Sequence, residues 1–181
     1  TRSRTYEGFQ NINDRQDTEF GNDWAMNGLD RLDIQAEGVL LNQGDGNSHF
    51  FADNGDGTFQ SPTGAMATTT LSSVSGGYSL TDRLGNTAKF NSIGVMTRRN
   101  DVLGNETLYS YTDADGDGQI DELSQIVDPV GRIAVLAYVG GRIASITDDS
   151  GRKTDFQFDV SGRLTRVTGA DPDGAGPLGR P

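Results

Sequence analysis

From Leu80 onward the chain alternates apolar and polar side chains with a period of two, broken at short intervals by Gly, Asp and Asn. Large residues stand five and seven places after a turn glycine. They are Tyr109 and Tyr111 after Gly104, Leu136 and Tyr138 after Gly131, and Phe156 and Phe158 after Gly151. In a more degenerate unit Phe90 and Ser92 take these places after Gly85. Side chains two apart on a strand point to one face. A second turn follows in each unit, then a second strand carrying Leu123 and Ile126, Ile143 and Ile146, or Leu164 and Val167. This grammar predicts successive β-hairpins. The leading glycines are 19, 27 and 20 residues apart, so the period is near twenty and one unit is enlarged by about seven residues. After residue 70 no helical period competes with it.

The first seventy residues are less regular. "FGNDWAMNGLDRLDIQAEGVLL" reads as a turn, an aromatic anchor at Trp24 and two strands, with Leu29, Leu32 and Ile34 alternating. "GNSHFFADNGDGTFQSPTG" reads as a hairpin turning at Asn54-Gly55-Asp56-Gly57. The pattern predicts an all-β chain of successive antiparallel hairpins forming a long curved sheet, without substantial helix. It divides into an extended arm at 1–19, a β lead-in at 20–79, repeat hairpins at 80–170 and a tail at 171–181.

Composition fits this picture. Glycine is abundant at 25 residues, proline is scarce at five, and apolar residues make up 33%. Such a chain suits many short strands joined by glycine turns, or a core completed on a neighbour. Fifteen basic against 26 acidic side chains give a net charge of −11. That excess argues against nucleic acid and against anionic membrane surfaces, and is compatible with solubility and with divalent cations. Cysteine is absent, which excludes disulfides and thiolate metal sites. No apolar run approaches the length of a membrane span. The start at Thr1 and the turn-rich end "GADPDGAGPLGRP" read as cuts within a longer polypeptide.

The residues "GGRIASITDDSGRKTDFQFD" followed by "SGRLTRVT" resemble YD repeats of the RHS type. The stretch from Phe20 to Asp101 is similar to the segment that leads into such repeats in large bacterial RHS proteins, and the whole likeness runs from Phe20 to Gly174. It departs from the pattern where Phe158 precedes Asp159, where Thr112 separates Tyr111 from Asp113, and where valine follows Tyr138. The resemblance implies a sheet of hairpins that winds into a hollow shell or serves as a cell-surface stalk. It does not extend to the conserved core with self-cleaving aspartates, so autoproteolysis and encapsulation are not carried over.

The enlarged unit contains "YTDADGDGQIDELSQI", from Tyr111 to Ile126. Its extra residues fall between the two strands, which predicts a widened turn with both strands still in phase. Asp113-x-Asp115-x-Asp117-Gly118-x-x-Asp121 has the spacing of a calcium loop. Calcium takes six to eight hard oxygens in flexible geometry. The expected ligands are Asp113, Asp115 and Asp117, the Gln119 carbonyl, and Asp121 directly or through water, with Glu122 as an extra ligand. Gly118 permits the bend, and Ile120 is expected to tie the loop to the core. Ser124 stands where an EF-hand would place its bidentate Glu, and the flanks read as strands. A β-hairpin calcium loop with a structural role is therefore expected. The competing reading is a solvated acidic turn. Asp53 with Asp56, and Asp45 with Asn47, lack the spacing and read as ordinary turns.

Catalytic constellations are lacking. His49 is the only histidine, and neither a triad nor a phosphate-binding loop can be read. Arg132, Arg142, Arg152 and Arg163 each follow a turn glycine and are expected to pair with turn aspartates such as Asp128, Asp148 and Asp159. Asn105-Glu106-Thr107 is a glycosylation sequon by pattern alone. The sequence thus predicts a non-enzymatic, secreted or cell-surface structural module, stabilised by Ca2+. It would associate with itself or with the rest of an RHS parent chain, as part of a filament or shell. A carbohydrate-binding or adhesive module is the first alternative, with exposed aromatics expected among Tyr6, Phe9, Tyr78 and Phe90. A fragment of a toxin-enclosing shell is the second.

Overall fold

A computed structural model describes residues 19–21 and 24–171. The predicted arm at 1–19 and the tail at 171–181 lie almost wholly outside these residues. Among the described residues fourteen strands account for nearly all the regular structure, beside one 3-10 turn at Gly64–Met66. β1 (Arg31–Gln35), β2 (Gly38–Asn42), β3 (Ser48–Asp53) and β4 (Phe59–Gln60) form a four-stranded antiparallel sheet in sequence order. β5 (Thr70–Val74), β6 (Gly77–Thr81), β7 (Thr87–Asn91), β8 (Met96–Asn100), β9 (Glu106–Thr112), β10 (Glu122–Val127), β11 (Ile133–Val139), β12 (Arg142–Thr147), β13 (Lys153–Phe158) and β14 (Leu164–Thr168) form a ten-stranded sheet, also in sequence order. The all-β hairpin architecture is as the alternation predicted. β5 and the start of β6 precede residue 80 and already pair within the repeat sheet.

The two sheets meet through single bridges, Arg31 with Val95 and Thr58 with Ser72. Between them lies the larger core. Leu32, Val39, Leu41 and Phe51 come from the first sheet; Leu71, Leu80, Phe90 and Met96 come from the second. Leu41, Phe51 and Met96 are fully buried. Each such side chain contributes about 1.5–3 kcal/mol by leaving water. A second cluster centres on Leu123, Leu136 and Ile143. It is surrounded by half-buried aromatics of β9, β11 and β13 and by Phe20, Met26 and Leu29.

One turn recurs six times, beginning at Asp82, Asn91, Asp101, Asp128, Asp148 and Asp159. In each, the amide of the first residue donates to the carbonyl four places on, and the amide three places on donates back. The first side chain's Oδ1 accepts the amides two and four places on. The fourth residue is always glycine, with φ between 76° and 91°. Other residues seldom adopt that left-handed region. The fifth residue answers the first. Asn86 and Asn105 donate their amides to the remaining carboxylate oxygen of Asp82 and Asp101, and Arg132 and Arg152 do so for Asp128 and Asp148. The predicted arginine–aspartate pairs are therefore present at these two turns. Arg163 donates its backbone amide to Asp159. Arg142 stacks over the Phe158 ring at 5.9 Å.

The apolar pairs of the second strands stand three apart, which on a regular strand would face them oppositely. A bulge corrects this. Tyr111 pairs with Leu123 and Ser110 with Gln125; Tyr138 pairs with Ile143 and Ala137 with Ser145; Phe158 pairs with Leu164 and Gln157 with Arg166. The skipped residues are Ser124, Ala144 and Thr165, and the extra residue turns the strand so that Leu123 with Ile126, and Ile143 with Ile146, both face the core. β7 and β8 share the device, with Phe90 opposite Met96 and Lys89 opposite Arg98. Thr97 and Thr165 each donate a hydroxyl to the carbonyl across the bulge, of Lys89 and Gln157. Phe90 therefore occupies the place of Tyr111, not of Tyr109. Ser92, expected on the strand, lies in the turn, because β7 is shorter than β9.

Two further expectations are corrected. Trp24 is no core anchor, since it is 54% exposed. Ile120 points outward, 60% exposed, because the loop curls over its own carboxylates instead of over the core. Of the aromatics expected on a binding face, Phe90 is buried in the first core and Tyr78 is half-buried, its ring tilted against Phe59. Tyr6 and Phe9 lie outside the described residues.

Candidate metal centre

The acidic turn joins β9 to β10. Its flanking pairs, Thr112 with Glu122 and Tyr111 with Leu123, match the register of the sister hairpins. The enlargement is thus confined to the turn, as its place between the strands predicted. Within the turn the carboxylates bind backbone amides. Asp113 accepts the amides of Gly116 at 2.8 Å and Gly118 at 3.1 Å. Asp115 accepts that of Asp117, and Asp117 accepts those of the Gln119 backbone and side chain. Glu122 accepts the amide of Ala114 at 2.7 Å across the base of the turn. Gly116 and Gly118 have φ of 82° and 89°, which lets consecutive amides turn inward.

Three carboxylates converge. Oxygen atoms of Asp113, Asp115 and Glu122 all lie within 4.8 Å of one another. One sphere of calcium ligands at 2.3–2.6 Å would span about that separation. Glu122 is buried, and its burial raises its pKa, with Asp121 and Asp115 adding to the rise. A cation there would oppose that shift, because a nearby positive charge favours the ionised carboxylate.

The other expected ligands are held differently. Asp121 is ion-paired with Arg31 of β1. Asp117 and Gln119 bond to each other. The turn nevertheless opens on a cleft of about 250 Å³ lined by Asp115, Asp117, Asp121 and Glu122 together with Glu19, Arg31 and Arg142. Gly141 of the next hairpin packs so closely that a Cβ there would sit 2.8 Å from the Asp115 side chain. The two-residue turn Gly140-Gly141 therefore braces the carboxylate cluster. Asp45, Asp53 and Asp56 cap amides of their own turns, and none of them belongs to the three-carboxylate cluster.

Above the acidic turn the hairpins are stitched together. Tyr111 donates its hydroxyl to the Met96 carbonyl at 2.6 Å, and Tyr138 donates to the Leu123 carbonyl at 2.7 Å. Met96 and Leu123 hold equivalent places, each opposite the aromatic of its own hairpin. Each tyrosine thus bonds to the hairpin before it. Burial pushes both phenols well above their ordinary pKa, so they remain donors at any physiological pH. Phe158 stands in the same place one hairpin later and has no hydroxyl; the Arg142 guanidinium covers its ring instead.

Residues 140–174 match the family model described as RHS Repeat. The chain carries an RHS repeat. The matched window spans β12 to β14, including the turns at Asp148 and Asp159. The hairpins of β7–β8, β9–β10 and β11–β12 share the bulge of the β13–β14 hairpin, and β9–β10 keeps it despite its widened turn. A search of curated proteins finds none that matches the chain. No helix among the described residues is long and apolar enough to cross a membrane.

Sequence reasoning missed the bulge and the tyrosine stitch. The bulge had a signal, the three-residue spacing of apolar pairs. The stitch had a weaker one, a tyrosine recurring at the same place in two units.

Proposed function

We propose that this chain is a structural, non-enzymatic module of a larger RHS-type assembly at the cell surface or outside the cell, with Ca2+ holding its widened turn. RHS repeats suggest a structural, cell-surface or toxin-shell module. The observation that carries the reading is the end of the ten-stranded sheet. β14 pairs with β13 alone, and its outer edge has no partner strand among the described residues. Phe156 and Phe158 beside it are only half-buried. An open edge with an incomplete apolar layer accepts another strand through main-chain hydrogen bonds. The partner is a further hairpin, from a second copy or from the parent chain.

The calcium reading rests on the three converging carboxylates of Asp113, Asp115 and Glu122, with Asp117 and Asp121 lining the adjoining cleft; the Gln119 carbonyl belongs to the reading by its place in the loop spacing alone. Asp121 would then exchange Arg31 for the cation. The role is to cancel the repulsion of a dense acidic turn and to hold its strands in phase. Sedimentation velocity at rising concentration, in calcium and in EDTA, tests both parts, with metal analysis of the same sample. A chain that stays monomeric throughout contradicts self-association, and a chain that takes up no calcium contradicts the metal site.

A further inference from the structure

The outward face of the ten-stranded sheet, opposite its cores, is not uniform. On β6, β7 and β8 it presents Ser79, Lys89 and Arg98, which stand opposite one another in register. The same cross-strand row then continues through Leu108, Val127 and Ile133 on β9, β10 and β11. β11 departs furthest from alternation. It reads Ile-Ala-Val-Leu-Ala-Tyr-Val, and its one polar side-chain group, the Tyr138 hydroxyl, is engaged in the stitch to Leu123. A continuous apolar run is the pattern of a strand covered on both faces. Among the described residues only one face of β11 is covered. Leu136 is buried in the core, while on the other side Val135 is 47% and Val139 76% exposed, beside Ile133.

Contiguous aliphatic side chains on an exposed face mark a contact surface. Charge and size say what covers this one. The chain carries −11 overall, so two copies repel each other where their acidic turns meet. The borders of this face are neutral. Arg98 pairs with Glu106 at 2.8 Å on one side, and Lys153 pairs with Asp155 at 2.8 Å on the other. A strongly charged partner gains nothing from such a rim, whereas an identical face meets it without repulsion. An apolar centre with a polar rim is also the ordinary anatomy of a protein interface. The five strands from β8 to β12, about 4.8 Å apart and about 20 Å long, present about 500 Å². Two such faces bury about 1,000 Å² in all, the lower limit of a specific interface. A flat face of that size suits a second sheet, since sheets pack face to face through their side chains.

We infer that this face is a dimer interface, in which β11 of one copy lies over β11 of a second copy across a two-fold axis. The axis runs across the strands. The acidic turn and the Asp128 turn lie at opposite ends of β10, so this axis sets each acidic turn over the partner's far end instead of against its twin. An isologous contact closes at two copies. It uses neither the edge of β14 nor a cation in the acidic turn, so it stands or falls apart from the function proposed above.

Sedimentation equilibrium of the full chain in EDTA tests this. A monomer–dimer equilibrium is expected, with a dissociation constant on the order of 10 μM, as befits a small interface. Val135→Lys is expected to weaken it at least about tenfold, as a charge buried at an interface centre does. That substitution lowers the net negative charge, so added repulsion between copies does not account for the loss. Val160→Lys, at an exposed turn outside the face, and Val167→Lys, at the β14 edge, are expected to leave the dimer unchanged. A second measurement serves if Val135→Lys unfolds by circular dichroism. The chain has no cysteine, so Val135→Cys introduces a single thiol. A short bismaleimide is expected to join two copies through that thiol near the two-fold axis, and not through the thiol of Val160→Cys at the same concentration. The inference is overturned if the chain stays monomeric at about 500 μM. Association lost with Val167→Lys and kept with Val135→Lys also overturns it, by assigning the contact to the β14 edge. A Val135→Cys thiol that the maleimide does not reach in the monomer overturns it too, because the chain's own residues 1–18 or 172–181 then cover the face.

Discussion

The two hydrophobic regions of this molecule are built on different principles. The first is a sandwich. Two sheets face each other, and Leu32, Val39, Leu41, Phe51, Leu71 and Met96 are buried from both sides. The second is a single sheet partly roofed by the segment around Phe20, Met26 and Leu29, with only Leu123, Leu136 and Ile143 buried. There polar devices supplement packing: tyrosine hydroxyls that bridge hairpins, arginine-capped turns, and a braced carboxylate cluster. The contrast teaches that a repeat sheet can keep its register with little apolar burial where capped turns and hydroxyl bonds between hairpins supplement it.

The widest gap between the regions is expected in the cost of cavities. Leu41→Ala removes a fully buried side chain from the sandwich and should cost about 3–5 kcal/mol in urea unfolding. Ile143→Ala, in a region that can settle, should cost about 2 kcal/mol. Equal losses would break the comparison. Calcium is expected to act on the second region alone. At a hundredfold excess over its dissociation constant it should add about 2.7 kcal/mol, and hydrogen exchange should slow in β9 to β12 and not in β1 to β3. The double variant Asp113→Asn, Asp115→Asn should lose this response.

The stitches offer a finer test. Tyr138→Phe should cost about 1 kcal/mol by removing the bond to Leu123, while Phe158→Tyr, which offers the last hairpin a hydroxyl in the same place, should not destabilise it. If Tyr138→Phe is neutral, the stitch is incidental. The smallest effect per site is that of the turns. Asp101 is held below the usual carboxylate pKa chiefly by the Asn105 side chain, Asp148 chiefly by Ser150 and Arg152, and Asp159 chiefly by the Arg163 amide. A carboxylate with a lowered folded pKa stabilises the fold above its unfolded value, near 3.9, and loses that contribution as pH falls through the folded value. Glu19 runs the other way. Burial raises its pKa, so its contribution improves as pH falls towards that value. Thermal melting from pH 7 to pH 3 should therefore show wild type losing stability below about pH 4. The Asp148→Asn variant should lose less over the same range, and Glu19→Gln should be more stable than wild type at pH 7.

Much of this was legible in the residues themselves. Alternation around Tyr109–Tyr111 and Phe156–Phe158 specified strands, because a period of two has one structural meaning on a pleated chain. Glycine at the fourth place of each turn was legible because few other residues accept its φ. The phase of β9 and β10 across the acidic turn could be inferred by comparison with sister units. Other features were not local. Trp24 looked like core because its type is usually buried, and only the path of the segment before β1 shows it facing a cavity. Ile120 looked like an anchor because its spacing fits a calcium loop in a helical setting, whereas a hairpin turn curls the other way.

The chain's own order of residues determined the hairpins, their turns and the crowding of carboxylates between Asp113 and Glu122, since these depend on backbone conformations and neighbours a few places away. Tertiary structure alone decided which carboxylates meet. Arg31, ninety positions from Asp121, draws that side chain off, Glu122 takes its place, and Gly141 closes against Asp115. Charges separated along the chain interact only when folding brings them within a few ångströms, and that distance is a property of how the two sheets pack.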